Sequence, residues 1–247
     1  MLTSSTPSPP RPQILGRLLQ RFPLGRLSVS VLFGLGLIFS TTLGFAWLAR
    51  EVLRNEFAAL DDALLLWLRD HESPRADAWM VVFTTLGGPL AITVLLVTTG
   101  LILIARRRWS EVGGVALAGL GCALLNTSLK HAFARERPAL FESPFHLTSY
   151  SFPSGHAMGS LVGFGMVAFL LVRRARTVQG PVSPLLSAVT VLSTALLVLL
   201  IGLSRMYFGV HFPTDIVGGY LAGAQWLTLS ILTVHSSEWW YARRSSR

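Results

Sequence analysis

Six stretches of this 247-residue chain are apolar for long enough to cross a bilayer, and they constrain its fold more than any short motif does. A hydrocarbon core needs about 20 predominantly apolar residues per helix. The candidate spans are expected at about residues 28–49, 79–105, 112–131, 155–172, 184–204 and 214–234. Lipid offers the backbone no hydrogen-bond partners, so each run must satisfy its own as a helix. The expected fold is therefore all-α, a polytopic membrane helical bundle with about six transmembrane helices. Pro89 inside the second run, and Pro181 and Pro184 ahead of the fifth, are expected to kink or trim their helices.

The formal charge is +9, which raises the question of nucleic acid or anionic lipid. The Lys and Arg residues sit in short clusters between apolar runs, and no basic stripe with interleaved aromatics is present, so no nucleic-acid partner is expected. With six spans both termini share one side. That side would carry thirteen cations, in the N-terminal segment, Arg106–Arg108, Arg173 to Arg176 and the C-terminal tail, against eight on the other. The positive-inside rule then makes both termini cytoplasmic in a multi-pass protein of the cell (inner) membrane. The expected organisation is a basic, Pro- and Ser-rich disordered segment over 1–27, a membrane domain over 28–234 and a cytoplasmic tail over 235–247.

Residues 50–77 fall on the opposite side. Their Leu-rich middle suits either an amphipathic helix on the membrane surface or a connector packed on the bundle. Trp239, Trp240 and Tyr241 suit an interfacial anchor. The single cysteine, Cys122, excludes an intramolecular disulfide.

This topology brings unusual polar residues to one end of four spans. Ionisable groups near a membrane are expensive and usually face a cavity, a partner or a pathway. Lys130 and Arg137 would lie two turns apart on one face if the third helix continued, although Pro138 disfavours helix at Arg137. Arg135 and Glu136 would then point elsewhere, as surface residues. Ser154 is placed to cap the fourth helix, leaving Gly155 and His156 in its first turn, where free backbone N–H groups favour an anion. Arg205 adds a third cation. His211 lies just before the sixth helix and Asp215 in its first turn, so that the carboxylate can orient one imidazole nitrogen and leave the other as a nucleophile. Three cations, a helix N-terminus and two histidines in different roles describe a phosphoryl site. The carboxylates are too few for a Mg²⁺ cage, and two histidines divided between roles do not suit zinc.

These residues stand as Lys130 through Arg137-Pro138, as Pro153-Ser154-Gly155-His156, and as Ser204-Arg205 through His211 to Asp215. The pattern K-x6-RP, PSGH and SR-x5-H-x3-D resembles the type 2 phosphatidic-acid phosphatase/haloperoxidase superfamily, in its membrane lipid-phosphatase branch. The match covers residues 130–215, and the six-span layout extends the likeness over most of the chain. The resemblance implies that Lys130, Arg137, Arg205, Ser154 and the Gly155 backbone hold phosphate oxygens. It implies further that His211 attacks phosphorus to form a phosphohistidine, that Asp215 orients it, and that His156 protonates the leaving oxygen. No metal and no cofactor are implied.

The expected function is an integral-membrane lipid phosphatase that removes phosphate from a lipid phosphomonoester or diphosphate at the outer leaflet, its site facing the periplasm or exterior. Undecaprenyl diphosphate is the first candidate substrate; phosphatidylglycerophosphate or phosphatidic acid is the second. Transfer of the phosphate to another lipid is an alternative reaction. An anion transporter fits poorly, because the charges gather at one face and no inverted repeat is visible. A haloperoxidase of this superfamily would be soluble. His71 and His235 read as residues of a connector and of the chain's cytoplasmic end, His131 as following Lys130 on a different helix face, and His146 as a connector residue near the site.

Overall fold

The computed structural model describes residues 24–145, 147–178 and 184–245; the expectations for residues 1–23, for His146 and for Pro181 lie outside them, as do the side chains of Trp239, Trp240 and Tyr241. Among the described residues the regular structure is wholly helical. Helix α1 covers Leu24–Leu53, α2 Ala58–Asp70, α3 Pro74–Leu86 and α4 Pro89–Ala105. Helix α5 (Trp109–Ala116) continues through one stretch of π-helix, Leu117–Gly121, into α6 (Cys122–Phe133). Helices α7 (Gly155–Val178), α8 (Pro184–Tyr207) and α9 (Pro213–Ser245) complete the chain.

Five of these units, counting α5 to α6 as one, are long and apolar enough to span a membrane. The pair α3 and α4, bent by 46° at Gly87-Gly88, makes a sixth when taken as one broken span, so the helices number five to six candidate spans. Pro89 explains the bend: it sits at the first turn of α4, where its missing N–H costs nothing, and it prevents α3 from running on. Large apolar side chains such as Phe33, Phe39, Leu90, Leu124 and Leu192 remain exposed along the spans, as a lipid-facing surface requires.

The core lies where α7 crosses α9. Met158, Val162, Met166 and Leu170 recur every four residues on α7 and pack against Ile92 and Leu96 of α4, Val115 and Ala118 of the α5–π segment, and Ala222 and Val234 of α9. The π-helix fits around a single side chain. Trp226 of α9 lies against Gly121 and donates its indole N–H to the Leu117 carbonyl at 2.9 Å, which supplies a partner where the wider helix disturbs the regular bonding.

Residues 50–77 resolve the two readings left open by the sequence. They form α2, whose buried residues Asp61 and Leu65 are four apart and face the bundle, and then the start of α3. Ser73 caps α3 by accepting from Ala76 N at 3.3 Å, with Pro74 next to it. The span expected from residue 79 thus begins a turn earlier.

Helices α7 and α9 approach closely because α9 carries glycine at the crossing. A Cβ at Gly219 would lie 2.7 Å from the Ser154 carbonyl oxygen and 3.2 Å from Met158 N. That carbonyl already accepts from Met158 N at 3.0 Å, so it cannot move without breaking the first turn of α7. Gly219→Ala gains at most about 1 kcal/mol of helix propensity. Overpacking against the backbone costs about 1–3 kcal/mol. The expected outcome in a detergent melting experiment is a lower Tm for Gly219→Ala. Gly100→Ala, where a Cβ meets nothing within 4 Å, should leave Tm equal or raise it.

Candidate active site

The end of α6, the start of α7, the end of α8 and the start of α9 meet at one end of the bundle. Helix α6 stops at Phe133, with Ala134 at φ 46° as its left-handed cap. The chain beyond is not helical, and this changes which side chains can converge. Lys130 lies in the last turn of α6 and donates to the Tyr150 carbonyl and, at 3.3 Å, to that of Ser151. Arg137 reaches the site from the following loop. Its guanidinium donates to Ser149 O at 2.8 Å, to Val210 O at 2.6 Å and to Ser149 Oγ at 3.0 Å. Ser151 braces this loop by donating N–H to Arg135 O at 2.8 Å and O–H to Glu136 O at 2.8 Å.

Arg205 is 3% exposed, near the end of α8. It donates to Thr84 Oγ1 of α3 at 2.5 Å and stacks over Phe145 at 5.5 Å, while its Nε has no hydrogen-bond partner among the described residues. Nearby, Tyr207 donates to Asp77 Oδ1 at 2.5 Å and ties α8 to the first turn of α3. Beyond Tyr207 the chain turns at Gly209, φ 64°, and presents His211 ahead of Pro213.

His211 is 2% exposed and its two nitrogens are distinguished by their neighbours. Nδ1 lies 3.3 Å from Asp215 Oδ2, and Nε2 lies 3.3 Å from Arg137 Nη1. A carboxylate can only accept and a guanidinium can only donate. Both contacts therefore select the tautomer with hydrogen on Nδ1 and a lone pair on Nε2. Burial pushes the imidazole down to about 4, against the hydrogen bond and charge of Asp215, which pull it up. The ring is neutral at neutral pH.

A cavity of about 770 Å³ joins these groups. Lys130, Arg137, Gly155, His156, Arg205 and His211 line its polar part, and Ile92, Leu96, Val97, Val112, Val115 and Leu120 line an apolar groove between α4 and the α5–α6 unit. Six of the eight residues singled out from the sequence thus border one space. Asp215, fully buried, lies behind His211. Ser154 is also fully buried and is not part of the lining. Its hydroxyl accepts from Ala157 N at 3.4 Å and its N–H donates to Asp215 O at 2.9 Å, which is the capping alternative weighed from the sequence.

Arg135 corrects the expectation that it is a surface residue. Its guanidinium donates to Asp215 Oδ1 at 2.6 Å, to Thr214 Oγ1 at 2.8 Å and to Asp61 Oδ2 at 2.9 Å, and it stacks over Phe212 at 4.2 Å. The expectation assumed a continuing helix; the helix stops at Phe133, and from the loop beyond it Arg137 turns to the cavity while Arg135 turns to the carboxylates of Asp215 and Asp61. Asp61 had no sequence signal at all, since its partner Thr214 is 153 positions away. Asn126 was missed too: it donates to Pro153 O at 3.3 Å and steadies the loop before α7. His71 is an exposed connector residue and His131 an exposed residue in the last turn of α6, as expected.

A polytopic helical bundle with such a cationic, histidine-bearing cavity at one end of its spans belongs to the class of membrane phosphatases, and comparison with known proteins gives the family. The chain belongs to the PAP2 superfamily, whose domain matches residues 111–239. It is 30% identical to phosphatidylglycerophosphatase B of Bacillus subtilis over 74% of this chain and 88% of that protein. It is 31% identical to an undecaprenyl-diphosphatase of Sulfolobus acidocaldarius over 56% of this chain and 62% of that protein. Among solved structures, the transmembrane PAP2-type phosphatidylglycerolphosphate phosphatase from Bacillus subtilis superposes with a TM-score of 0.71 at 28% identity, covering 78% of this chain and 94% of that one. The protein is a multi-pass membrane lipid phosphatase of this superfamily.

The neutral His211 has a consequence for pH dependence. Protonation would occupy the Nε2 lone pair, and burial opposes it until about pH 4. An unshifted histidine, pKa about 6.5, would lose about tenfold of its neutral form by pH 5.5. The acid limb of kcat/KM for phosphate release is expected near pH 4, with little loss at pH 5.5. A limb centred at 6.5 would show that burial does not hold His211 neutral.

Proposed function

We propose that the protein hydrolyses a lipid phosphomonoester or diphosphate at the outer leaflet through a phosphohistidine on His211, with both termini cytoplasmic and no metal taking part. The observation that carries this reading is the assignment of a lone pair, rather than a hydrogen, to His211 Nε2, inside a cavity that also holds His156 and three cations. In the first step Nε2 forms the N–P bond and the P–O bond to the lipid breaks. The departing oxygen keeps the bonding pair and takes a proton from His156. Asp215 holds the Nδ1 hydrogen and stabilises the positive charge that the ring acquires. In the second step water attacks phosphorus, His156 accepts its proton, and phosphate leaves while His211 regains its lone pair.

Lys130, Arg137 and Arg205 would neutralise the phosphoryl oxygens from fixed positions, and the Gly155 N–H at the start of α7 adds a donor from the positive end of the helix. Arg137 and Lys130 now donate to the carbonyls of 149–151 and Val210, so phosphate oxygens would replace those acceptors. Ser154 supports the cradle through its cap.

The apolar groove supports a lipid substrate. Gly100 lies eleven residues into α4, about 16 Å along its axis, or near the middle of a hydrocarbon core about 30 Å thick. A tail lying there would keep its head group at the cations. The groove is compatible with undecaprenyl diphosphate and with phosphatidylglycerophosphate. The archaeal relative supports the former and the Bacillus subtilis relative the latter.

Purified protein in liposomes containing EDTA is expected to release phosphate from one or both lipids. His211→Ala should lower turnover by at least about 10³-fold. Activity abolished by chelation would defeat the metal-free reading, and a fully active His211→Ala would defeat the nucleophile. Gly100→Leu is expected to raise KM for the long-chain lipid about tenfold, while hydrolysis of water-soluble p-nitrophenyl phosphate stays within about twofold. Equal effects on both substrates would place the tail elsewhere.

A further inference from the structure

We propose that Arg135 is a positioning residue for the attack by His211, and that Asp61 on α2 is its required counter-charge. The inference rests on His211 being the nucleophile.

Asp215 needs only Oδ2 to meet His211 and the Phe212 N–H, at 3.3 and 2.9 Å. Its other oxygen, Oδ1, is equally buried, and the Arg135 donor at 2.6 Å occupies it. With both oxygens held from different directions, the carboxylate plane cannot rotate, and Oδ2 stays aimed at Nδ1. Arg135 is itself held flat by the Phe212 ring and by Thr214 Oγ1. It makes no contact with the phosphate-binding cavity.

An arginine paired to Asp215 has a drawback, because it cancels the negative charge that must stabilise the histidine ring once the N–P bond forms. Asp61 restores it. Fully buried, Asp61 accepts from Arg135 Nη2 at 2.9 Å and from both the N–H and O–H of Thr214, at 3.0 and 2.6 Å. Two carboxylates and one guanidinium leave a net charge of −1 beside His211. A structural staple between α2 and α9 would need neither the contact to Oδ1 nor this balance. The helix between the first two spans is thereby coupled to the nucleophile.

The test compares wild type, His211→Ala, Arg135→Gln, Arg135→Lys, Asp61→Asn and the double variant Arg135→Gln/Asp61→Asn as full-length proteins. For each, kcat and KM for a lipid phosphate, inhibition by vanadate and Tm are measured. A small misplacement of a reacting group costs about 100-fold, which is the fall in kcat expected for Arg135→Gln. KM and the vanadate inhibition constant should stay within about threefold, because Lys130, Arg137 and Arg205 are untouched. Arg135→Lys should recover part of the loss, and Asp61→Asn, which keeps the shape and one acceptor for the Thr214 N–H but removes the charge facing Arg135, should lower kcat about tenfold.

The double variant removes the buried charge imbalance and should recover Tm without recovering kcat. Recovery of kcat together with Tm would reduce Arg135 to a staple and overturn the inference. So would wild-type kcat in Arg135→Gln, or a rise of KM and of the vanadate constant in step. Should Arg135→Gln fail to fold, Asp61→Asn decides alone, and an unchanged kcat there overturns the inference. An inactive His211→Ala beside a fully active Arg135→Gln defeats this inference only; an active His211→Ala defeats the nucleophile as well.

Discussion

The hydrogen bond from Ser154 N–H to the Asp215 carbonyl, 2.9 Å long, joins the starts of α7 and α9, and the geometry of the site depends on it. One helix carries His156 in its first turn and the other follows His211 directly. Their separation is the separation of the two histidines' backbones. Gly219 lets the bond form by leaving room for the Ser154 carbonyl, and the core of Met158, Val162, Met166 and Ala222 extends the same contact along both helices. His156 and His211 are therefore spaced by the best-packed crossing of the bundle.

The second constraint is electrostatic. Gathering Lys130, Arg137 and Arg205 within one cavity beside a membrane is unfavourable without an anion. The fold offsets this with dipoles: backbone carbonyls from 149–151 and Val210 face Lys130 and Arg137, and the Thr84 hydroxyl and the Phe145 ring face Arg205. The negative charges are kept behind the histidine, on Asp215 and Asp61, and Arg135 separates them. Positive charge thus lines the cavity and negative charge backs His211, a distribution that suits the proposed phosphoryl transfer to histidine.

The legible part of the site was the part carried by short-range spacing. His211 and Asp215 are one turn apart, and Gly155 and His156 follow a capping serine, so their placement needed only the start of a helix. Lys130 and Arg137 were grouped correctly for a reason that holds only in part, since the helix stops at Phe133 and Arg137 arrives on a loop. The same assumption sent Arg135 to the surface, whereas the structure sets it half-buried against Asp215. The bend at Pro89 was also readable, because proline acts on its own backbone. The π-turn at Leu117–Gly121 was not, because it fits around Trp226, more than a hundred residues away.

The sequence by itself determined that the chain would be a membrane helical bundle and at which end its cations and histidines would gather. Hydrophobic length and helix-start signals are local properties, and they survive without knowledge of neighbours. Only the tertiary structure decided which charges meet. Asp61, Arg135 and Asp215 come from three distant segments, and nothing in the spacing of any one of them records the other two. Ion pairing over such distances follows from how helices pack, and packing is settled by the whole chain at once.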